Sequence, residues 1–166
     1  MRRRTIEPAP PRKTMRIAIV AVGRARRGAV PDLVAEYAAR LPWKLDVHEV
    51  EAPAKLAAPE RMRREAALLA ARIPDGAAVV ALDRRGKALS SEDFAVRLGT
   101  WRDGGRDVAF LIGGADGLDP ELVRRADLVL SFGPMVWPHM LARAMLAEQL
   151  WRAAAILAGH PYHRGG

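Results

Sequence analysis

Four apolar segments constrain the fold of this chain more than any other feature of its sequence. They lie at 15–22, 77–82, 107–112 and 128–132, and most residues in each are apolar. Strands that are apolar on both sides are typical of parallel sheets, because helices cover both faces of such sheets. The segment 45–50 alternates apolar and polar residues imperfectly, which predicts a strand with one exposed face.

Helical patterns occupy the intervals between these strands. Apolar spacing, capping residues and helix breakers predict helices at 31–40, 59–73, 90–101, 120–125 and 138–157. Ser90 followed by Asp93 is typical of a capped helix start. A turn is predicted at 83–87. Alternating strands and helices predict an α/β fold, a mostly parallel sheet sandwiched by helices, in a single domain spanning 15–166.

The charge balance favours a polyanionic partner. The 166 residues carry 27 Lys and Arg against 19 Asp and Glu, a formal net charge of +8, and nucleic acid is the commonest soluble polyanion. Residues 1–14 hold five basic residues and three prolines. This composition predicts a basic, disordered arm, which is either an upstream extension without function or a tail that follows phosphates.

The composition also argues against several classes of protein. No apolar run approaches the roughly 20 residues of a membrane span, and residues 1–14 lack the apolar centre of a secretory signal. We therefore expect a cytoplasmic protein with no membrane partner. The chain has no cysteine and four scattered histidines, so no metal site is predicted.

Two glycine turns follow two of the predicted strands. Gly113-Gly114-Ala115-Asp116-Gly117 follows one strand, and Phe132-Gly133-Pro134 follows another. Ligands of parallel α/β sheets bind beyond the carboxyl ends of the strands, and glycine lets the main chain approach a flat ligand closely. The first turn lacks the spacing of a dinucleotide fingerprint. Alternatively, both turns are simple connections, with Met135 and Trp137 packed in the core.

The last helix and the tail carry the remaining candidates. His139 begins the helix, where it either faces a ligand, caps or packs, and Arg143 either binds substrate or belongs to a solvated stripe. The many apolar residues around this helix favour a self-association face. Tyr162, His163 and Arg164 combine proton and anion chemistry, although terminal tails are often frayed.

These motifs together resemble one family. LIGGADGL, FGPMVWPH, LARAMLAEQLWRA and HPYHR, with RIAIVAVG and LDRRGKALSSEDFA before them, are similar to the SPOUT-class methyltransferases called ribosomal RNA large subunit methyltransferase H. The likeness covers about nine tenths of the chain. The family methylates N3 of a pseudouridine in large-subunit (23S) ribosomal RNA, within the ribosome. The resemblance also implies a deep C-terminal trefoil knot and a homodimer.

The resemblance assigns roles residue by residue. It implies that S-adenosylmethionine binds at Leu82, Gly113, Gly114, Phe132, Gly133, Pro134, Met135, Val136 and Trp137. It implies that Tyr162, His163 and Arg164 reach the methyl donor of the partner subunit and are catalytic. We expect substrate contacts from His139, Arg143, Arg24 and Arg84, with Arg26, Arg27, Arg85 and Lys87 adding phosphate contacts. The family often has a small hydroxyl residue at the position of Val136.

Three rival functions make different demands on the sequence. A non-catalytic RNA-binding protein would use the basic residues and leave the glycine turns as connections. A nucleotide-dependent hydrolase would need a phosphate loop or paired carboxylates, and the sequence shows neither. A transfer-RNA methyltransferase of the same class is disfavoured only by the resemblance of the terminal HPYHR motif to the large-subunit family.

Overall fold

A computed structural model describes residues 13–164, with side chains described through Tyr162. Within this part of the chain, five strands form one sheet in the order β2-β1-β4-β3-β5, and every pairing is parallel. The strands are β1 (Arg16–Val22), β2 (Lys44–Val50), β3 (Ala78–Ala88), β4 (Val108–Ile112) and β5 (Leu128–Ser131). The predicted α/β fold with a parallel sheet is confirmed.

Five helices separate and follow the strands in the described chain. They are α1 (Ala29–Arg40), α2 (Ala58–Ala70), α3 (Ser91–Asp103), α4 (Pro120–Arg124) and α5 (His139–Leu157), with a short 3₁₀ turn over Pro161–Arg164. The Ser90 side chain accepts the Asp93 amide at 3.0 Å, which is the predicted cap. Asp119 caps α4 in the same way, accepting the Glu121 amide at 2.9 Å. No helix among the described residues is long and apolar enough to cross a membrane.

Both faces of the sheet are buried, because successive side chains of each strand point to opposite sides. In β1, Ile17 and Ile19 join a core with Phe94 of α3 and Leu150 of α5. Val20 of β1 points the other way. The second core also contains Leu69 of α2, Leu111 of β4 and Leu122 of α4. Helices α3 and α5 therefore cover one face, and α2 and α4 cover the other.

The predicted turn at 83–87 is wrong, because β3 continues to Ala88. Leu130 of β5 pairs with both Leu82 and Lys87, so the residues between them form a bulge in a strand that then resumes. Gly86 makes this return possible, since a Cβ there would lie 2.6 Å from the Val129 carbonyl oxygen. After the bulge, β3 continues along β5, where Ala88 pairs with Ser131, and the chain then enters α3.

Candidate functional site

A cavity of about 740 Å³ opens at the carboxyl ends of the central strands. We call it the edge cavity. It is bounded by the bulge of β3, by the glycine turn (residues 113–118) after β4 and by the proline loop (residues 132–138) after β5. Eight of the nine residues predicted to bind the cofactor line the edge cavity, namely Leu82, Gly113, Gly114, Phe132, Gly133, Met135, Val136 and Trp137. Pro134 does not line the cavity.

The glycine turn is folded tightly onto itself. Gly114 and Gly117 form an isolated bridge, and the Gly117 amide donates to the Gly114 carbonyl at 3.0 Å. A Cβ on Gly113 would lie 2.6 Å from the Gly117 carbonyl carbon, and Gly117 has φ +80°. Neither position tolerates a larger residue without a shift. The glycines of the turn therefore present main chain to the cavity, beside Ala115, Asp116 and Leu118, which also line it.

The proline loop is held at its base and open at its tip. The buried Ser131 hydroxyl donates to the Arg84 carbonyl at 3.0 Å and accepts the Gly133 amide at 3.0 Å. Beyond this anchor, Met135 is 71% and Val136 76% exposed. The alternative in which this loop packs Met135 into the core is wrong. These apolar side chains stand at the cavity mouth, where a ligand could cover them.

The rim formed by the β3 bulge is charged. Asp83 accepts the Arg85 amide at 2.8 Å, and its two carboxylate oxygens receive the Arg85 guanidinium at 3.1 and 3.0 Å. The hydrogen bond from the Arg85 side chain is the main reason that the pKa of Asp83 lies below its usual value. Arg84 is exposed and also lines the cavity. The rim therefore combines one carboxylate with two exposed guanidinium groups, whose charges both lower the pKa of Asp83.

His139 joins this site to the end of β1. It lines the edge cavity at the first turn of α5, and its Nε2 lies 3.2 Å from where a Cβ on Gly23 would stand. Gly23 has φ +95°, which favours glycine, and the missing side chain leaves room for the imidazole. The structure thus brings His139 and Arg84 together at the cavity, as two of the four predicted substrate residues.

Arg143 requires a correction. It is 3% exposed, so it belongs to no solvated stripe, and a buried guanidinium offers no face to an RNA. Its Nη1 donates to Glu49 Oε2 at 2.6 Å, and its Nη2 donates to the Gly23 carbonyl at 2.7 Å. The same Glu49 oxygen accepts the Ala25 amide. Arg143 therefore fastens α5 to the ends of β1 and β2 instead of contacting substrate.

The ionisation of Glu49 follows from this arrangement. Burial alone would raise the pKa of the Glu49 carboxyl. The hydrogen bonds from Ala25 and Arg143 outweigh the burial, so the pKa lies below its usual value.

The segment anchored in this way is the arginine loop (residues 23–28). Arg24 is exposed, and its Nε donates to Glu51 Oε2 at 2.9 Å. Arg26 and Arg27 are also exposed. Arg24 lies outside the edge cavity, beyond the end of β1.

The tail folds back against α5. The Tyr162 ring lies 5.5 Å from the Trp151 ring, and the Arg152 guanidinium lies 5.3 Å above it. The Tyr162 hydroxyl is 3.3 Å from Glu148 Oε1. Burial, a hydrogen bond with Tyr37 and the charge of Glu148 raise the pKa of Tyr162 to about 12. Tyr162 therefore keeps its proton at neutral pH.

The other two residues of the predicted catalytic set remain a prediction. The backbones of His163 and Arg164 belong to the 3₁₀ turn, but their side chains lie outside those that the structure describes.

A second cavity, of about 590 Å³, forms a groove between α1, α5 and the start of α3. Leu33 and Leu141 border it, and each is 38% exposed. Glu148, the residue that contacts Tyr162, also lines it. The groove and the edge cavity share Leu130, Phe132 and Gly133.

Sequence comparison finds close relatives. The family model described as "Predicted SPOUT methyltransferase" matches residues 15–163. A protein of Rhodospirillum centenum named "Ribosomal RNA large subunit methyltransferase H" is 62% identical over 151 residues, covering 90% of this chain and 99% of the relative. Its namesake from Paracoccus denitrificans is 55% identical over 161 residues, with the same coverage of both chains.

Comparison of the fold gives more distant similarities. A probable methylase family protein from Haemophilus influenzae Rd KW20 superposes with a TM-score of 0.56 at 13% identity, covering 89% of this chain and 70% of the other. A probable methyltransferase from Bordetella pertussis Tohama I gives a TM-score of 0.52 at 16% identity, covering 84% and 96% of the two chains. These two likenesses concern the fold alone.

Proposed function

The chain belongs to the ribosomal RNA large subunit methyltransferase H family of SPOUT methyltransferases, and on that premise we propose that it methylates N3 of a pseudouridine in large-subunit ribosomal RNA. S-adenosylmethionine is the methyl donor. The observation that carries the proposal is the coincidence of two results. The family match spans the chain from strand β1 to the tail, and eight of the nine residues that the family resemblance assigns to the donor, all except Pro134, border one cavity.

The edge cavity suits this donor chemically. Its walls combine main chain of the glycine turn with apolar side chains such as Leu82, Phe132 and Trp137. A flat adenine needs apolar faces and main-chain hydrogen-bonding groups at its edge, and both are present here. A Cβ at Gly113 would collide with Gly117, so the turn has the form of a cradle that no other residue could build.

The donor, when bound, supplies an electrophilic sulfonium methyl, and a neutral thioether leaves. The acceptor is an imide nitrogen, which is a poor nucleophile until it loses its proton. We assign removal of that proton to His163, directly or through a water, and stabilisation of the resulting anion to Arg164. A positioned general base contributes about 10²–10⁴-fold to such a step. Tyr162 serves as the anchor of the tail, because its phenol stays protonated.

A homodimer is part of the proposal. Two copies could bury the exposed Leu33 and Leu141 that border the groove. The tail of each copy lies next to that groove, because Glu148 lines the groove and contacts Tyr162. The tail would then reach the donor site of the partner, as the family resemblance implies. The same resemblance extends the proposal to a C-terminal trefoil knot, and the ribosomal substrate to a cytoplasmic location.

Contact with RNA is assigned to exposed basic side chains around the edge cavity. The arginine loop contributes Arg24, Arg26 and Arg27, and the β3 bulge contributes Arg84 and Lys87. Arg85 adds positive charge at the same rim, although Asp83 partly neutralises it. Phosphate contacts of this kind position the RNA, and base recognition is left to the cavity itself.

The test is transfer of radiolabelled methyl from S-adenosylmethionine to ribosomes from a strain that lacks the methyltransferase. Nuclease digestion and mass spectrometry then locate the label, and free ribosomal RNA is assayed in parallel. Label on N3 of one large-subunit pseudouridine supports the proposal. Donor binding without transfer to either substrate would contradict the proposed acceptor and leave the donor in place.

A further inference from the structure

The glycine turn is tied to helix α2 by a charged contact that the proposed mechanism does not use. Arg61 of α2 forms an ion pair through Nη2 with Asp116 at the tip of the turn. Its Nη1 donates to the Leu56 carbonyl at 3.2 Å, just before the helix. One guanidinium thus joins the turn to the start of α2, and both side chains of the pair are less than one-third exposed.

A second carboxyl lies beneath the same turn. Glu65, one helical turn after Arg61, is 7% exposed, and its Oε1 is 3.6 Å from where a Cβ on Gly114 would stand. Burial raises the pKa of Glu65, and the charge of Asp116 raises it further, whereas Arg61 lowers it. Arg61 therefore interacts with an acid at the tip of the turn and another at its base, which would otherwise repel each other.

This arrangement matters because the turn offers main chain to the cavity. A main-chain ligand site keeps its shape only if its loop is fixed, since a mobile loop must be ordered when the ligand binds. The turn has its own internal hydrogen bond from the Gly117 amide to the Gly114 carbonyl. Arg61 adds a link from the outside, to a residue that borders the cavity while Arg61 itself does not.

We propose that Arg61 is a positioning residue for the methyl donor, holding the glycine turn in its binding form through Asp116. This inference rests on the proposed function for the identity of the ligand. It predicts that Arg61 and Asp116 act as one unit. Loss of either partner should release the turn, and loss of the second should add little.

The experiment is a double-mutant cycle of Arg61→Gln and Asp116→Asn. Calorimetry measures the affinity for S-adenosylmethionine. Hydrogen exchange measures the exchange rate of the Gly117 amide in the protein without ligand. Each single variant is expected to weaken donor binding about fivefold, which is typical of a partly exposed ion pair that orders a loop. The double variant should be no weaker than either, and Gly117 should exchange faster in all three. Arg61→Lys keeps the charge and should restore part of the affinity.

The matched control is Arg64→Gln, an exposed arginine on the same helix. It should change neither measurement. Unaltered Gly117 exchange in Arg61→Gln and Asp116→Asn would overturn the inference, as would losses of affinity that simply add in the double variant. If the unmodified protein failed to bind the donor, the proposed function would fall, and Gly117 exchange would still decide whether Arg61 holds the turn. Should Arg61→Gln not fold, Asp116→Asn alone supplies that answer.

Discussion

Arg143 of α5 reaches Glu49 of β2 across the end of β1, with 2.6 Å between Nη1 and Oε2. The pair also fixes the start of the arginine loop, because the same Glu49 carboxylate accepts a hydrogen bond from the Ala25 amide. The helix that follows the proline loop is thereby fixed to the loop that carries Arg24. Both segments border the region where we place donor and RNA.

Arg143→Met should destabilise the protein by about 2 kcal/mol. Removing one member of a buried ion pair typically costs about 3–5 kcal/mol, and the cost is smaller here because the Glu49 side chain is 28% exposed. Urea unfolding followed by circular dichroism measures the change. Arg40→Met, which breaks an exposed pair with Glu36, is the control and should have little effect. Equal losses in the two variants would contradict the structural role of Arg143.

The effect of Glu65→Gln on the free energy of unfolding should become more stabilising as the pH rises. The pKa of Glu65 is raised in the folded protein, so its contribution to stability is full below its usual value near 4.5 and is lost as the pH rises through the folded pKa. Gln cannot ionise and avoids this loss. The stability of the variant relative to the unmodified protein should therefore be higher at pH 8 than at pH 5, measured by urea unfolding. Glu60→Gln, exposed on the same helix, should show no such trend.

Gly113→Ala should abolish most binding of S-adenosylmethionine. The new methyl group would lie 2.6 Å from the Gly117 carbonyl carbon, so the turn must open. We expect a loss of affinity of more than about tenfold and a stability cost of about 1–3 kcal/mol, as for other overpacked sites. Calorimetry and thermal unfolding measure the two effects. Gly104→Ala, at the end of α3 and away from the cavity, should leave the affinity unchanged.

Tyr162→Phe and Tyr162→Ala should separate anchoring from proton transfer. The phenol has a pKa of about 12, so its ionisation plays no part between pH 6 and 9. Phe keeps the ring against Trp151 and Arg152 and should retain the methyl-transfer rate within a fewfold. Ala releases the tail and should lose about 10²-fold, the lower end of what a misplaced general base costs. Equal, large losses in both variants would assign the hydroxyl a direct role.

Binding to ribosomal RNA should weaken steeply with salt. Each phosphate contact releases counterions, so removing one arginine that touches a phosphate lowers the slope of log K against log salt by about one. We expect this for Arg24→Ala and Arg84→Ala in filter-binding titrations from low to moderate salt. Arg97→Ala is the control, because Arg97 lies on α3 over Trp101. A flat salt dependence of the unmodified protein would remove the electrostatic assignment.

The sequence predicted those parts of the fold that depend on local patterning. The strands β1 and β4 are apolar on both faces, and that pattern alone requires helices above and below them. The path of β3 depends instead on a distant contact. The residues at 83–87 have the composition of a turn, and only the fit of Gly86 against Val129 returns the chain to β5.

The candidate site divides in the same way. Glycine turns at strand ends are visible in a sequence, so the walls of the edge cavity were predictable, although their ligand came from the family resemblance. The partners of the charged residues could not be predicted from the sequence. Arg143 finds Glu49 across 94 positions and Arg61 finds Asp116 across 55, distances at which spacing carries no information. A buried arginine among apolar neighbours on α5 was the one available signal, because such a residue requires an internal partner.

Leu130, Phe132 and Gly133 form a wall that borders both the edge cavity and the groove. If an occupant on one side changes the shape of this wall, the affinity on the other side changes, and the factor is the same in either direction. With the donor on one side and a second copy of the chain on the other, ligand affinity would depend on protein concentration. Diluting the protein would then lower its apparent affinity for S-adenosylmethionine.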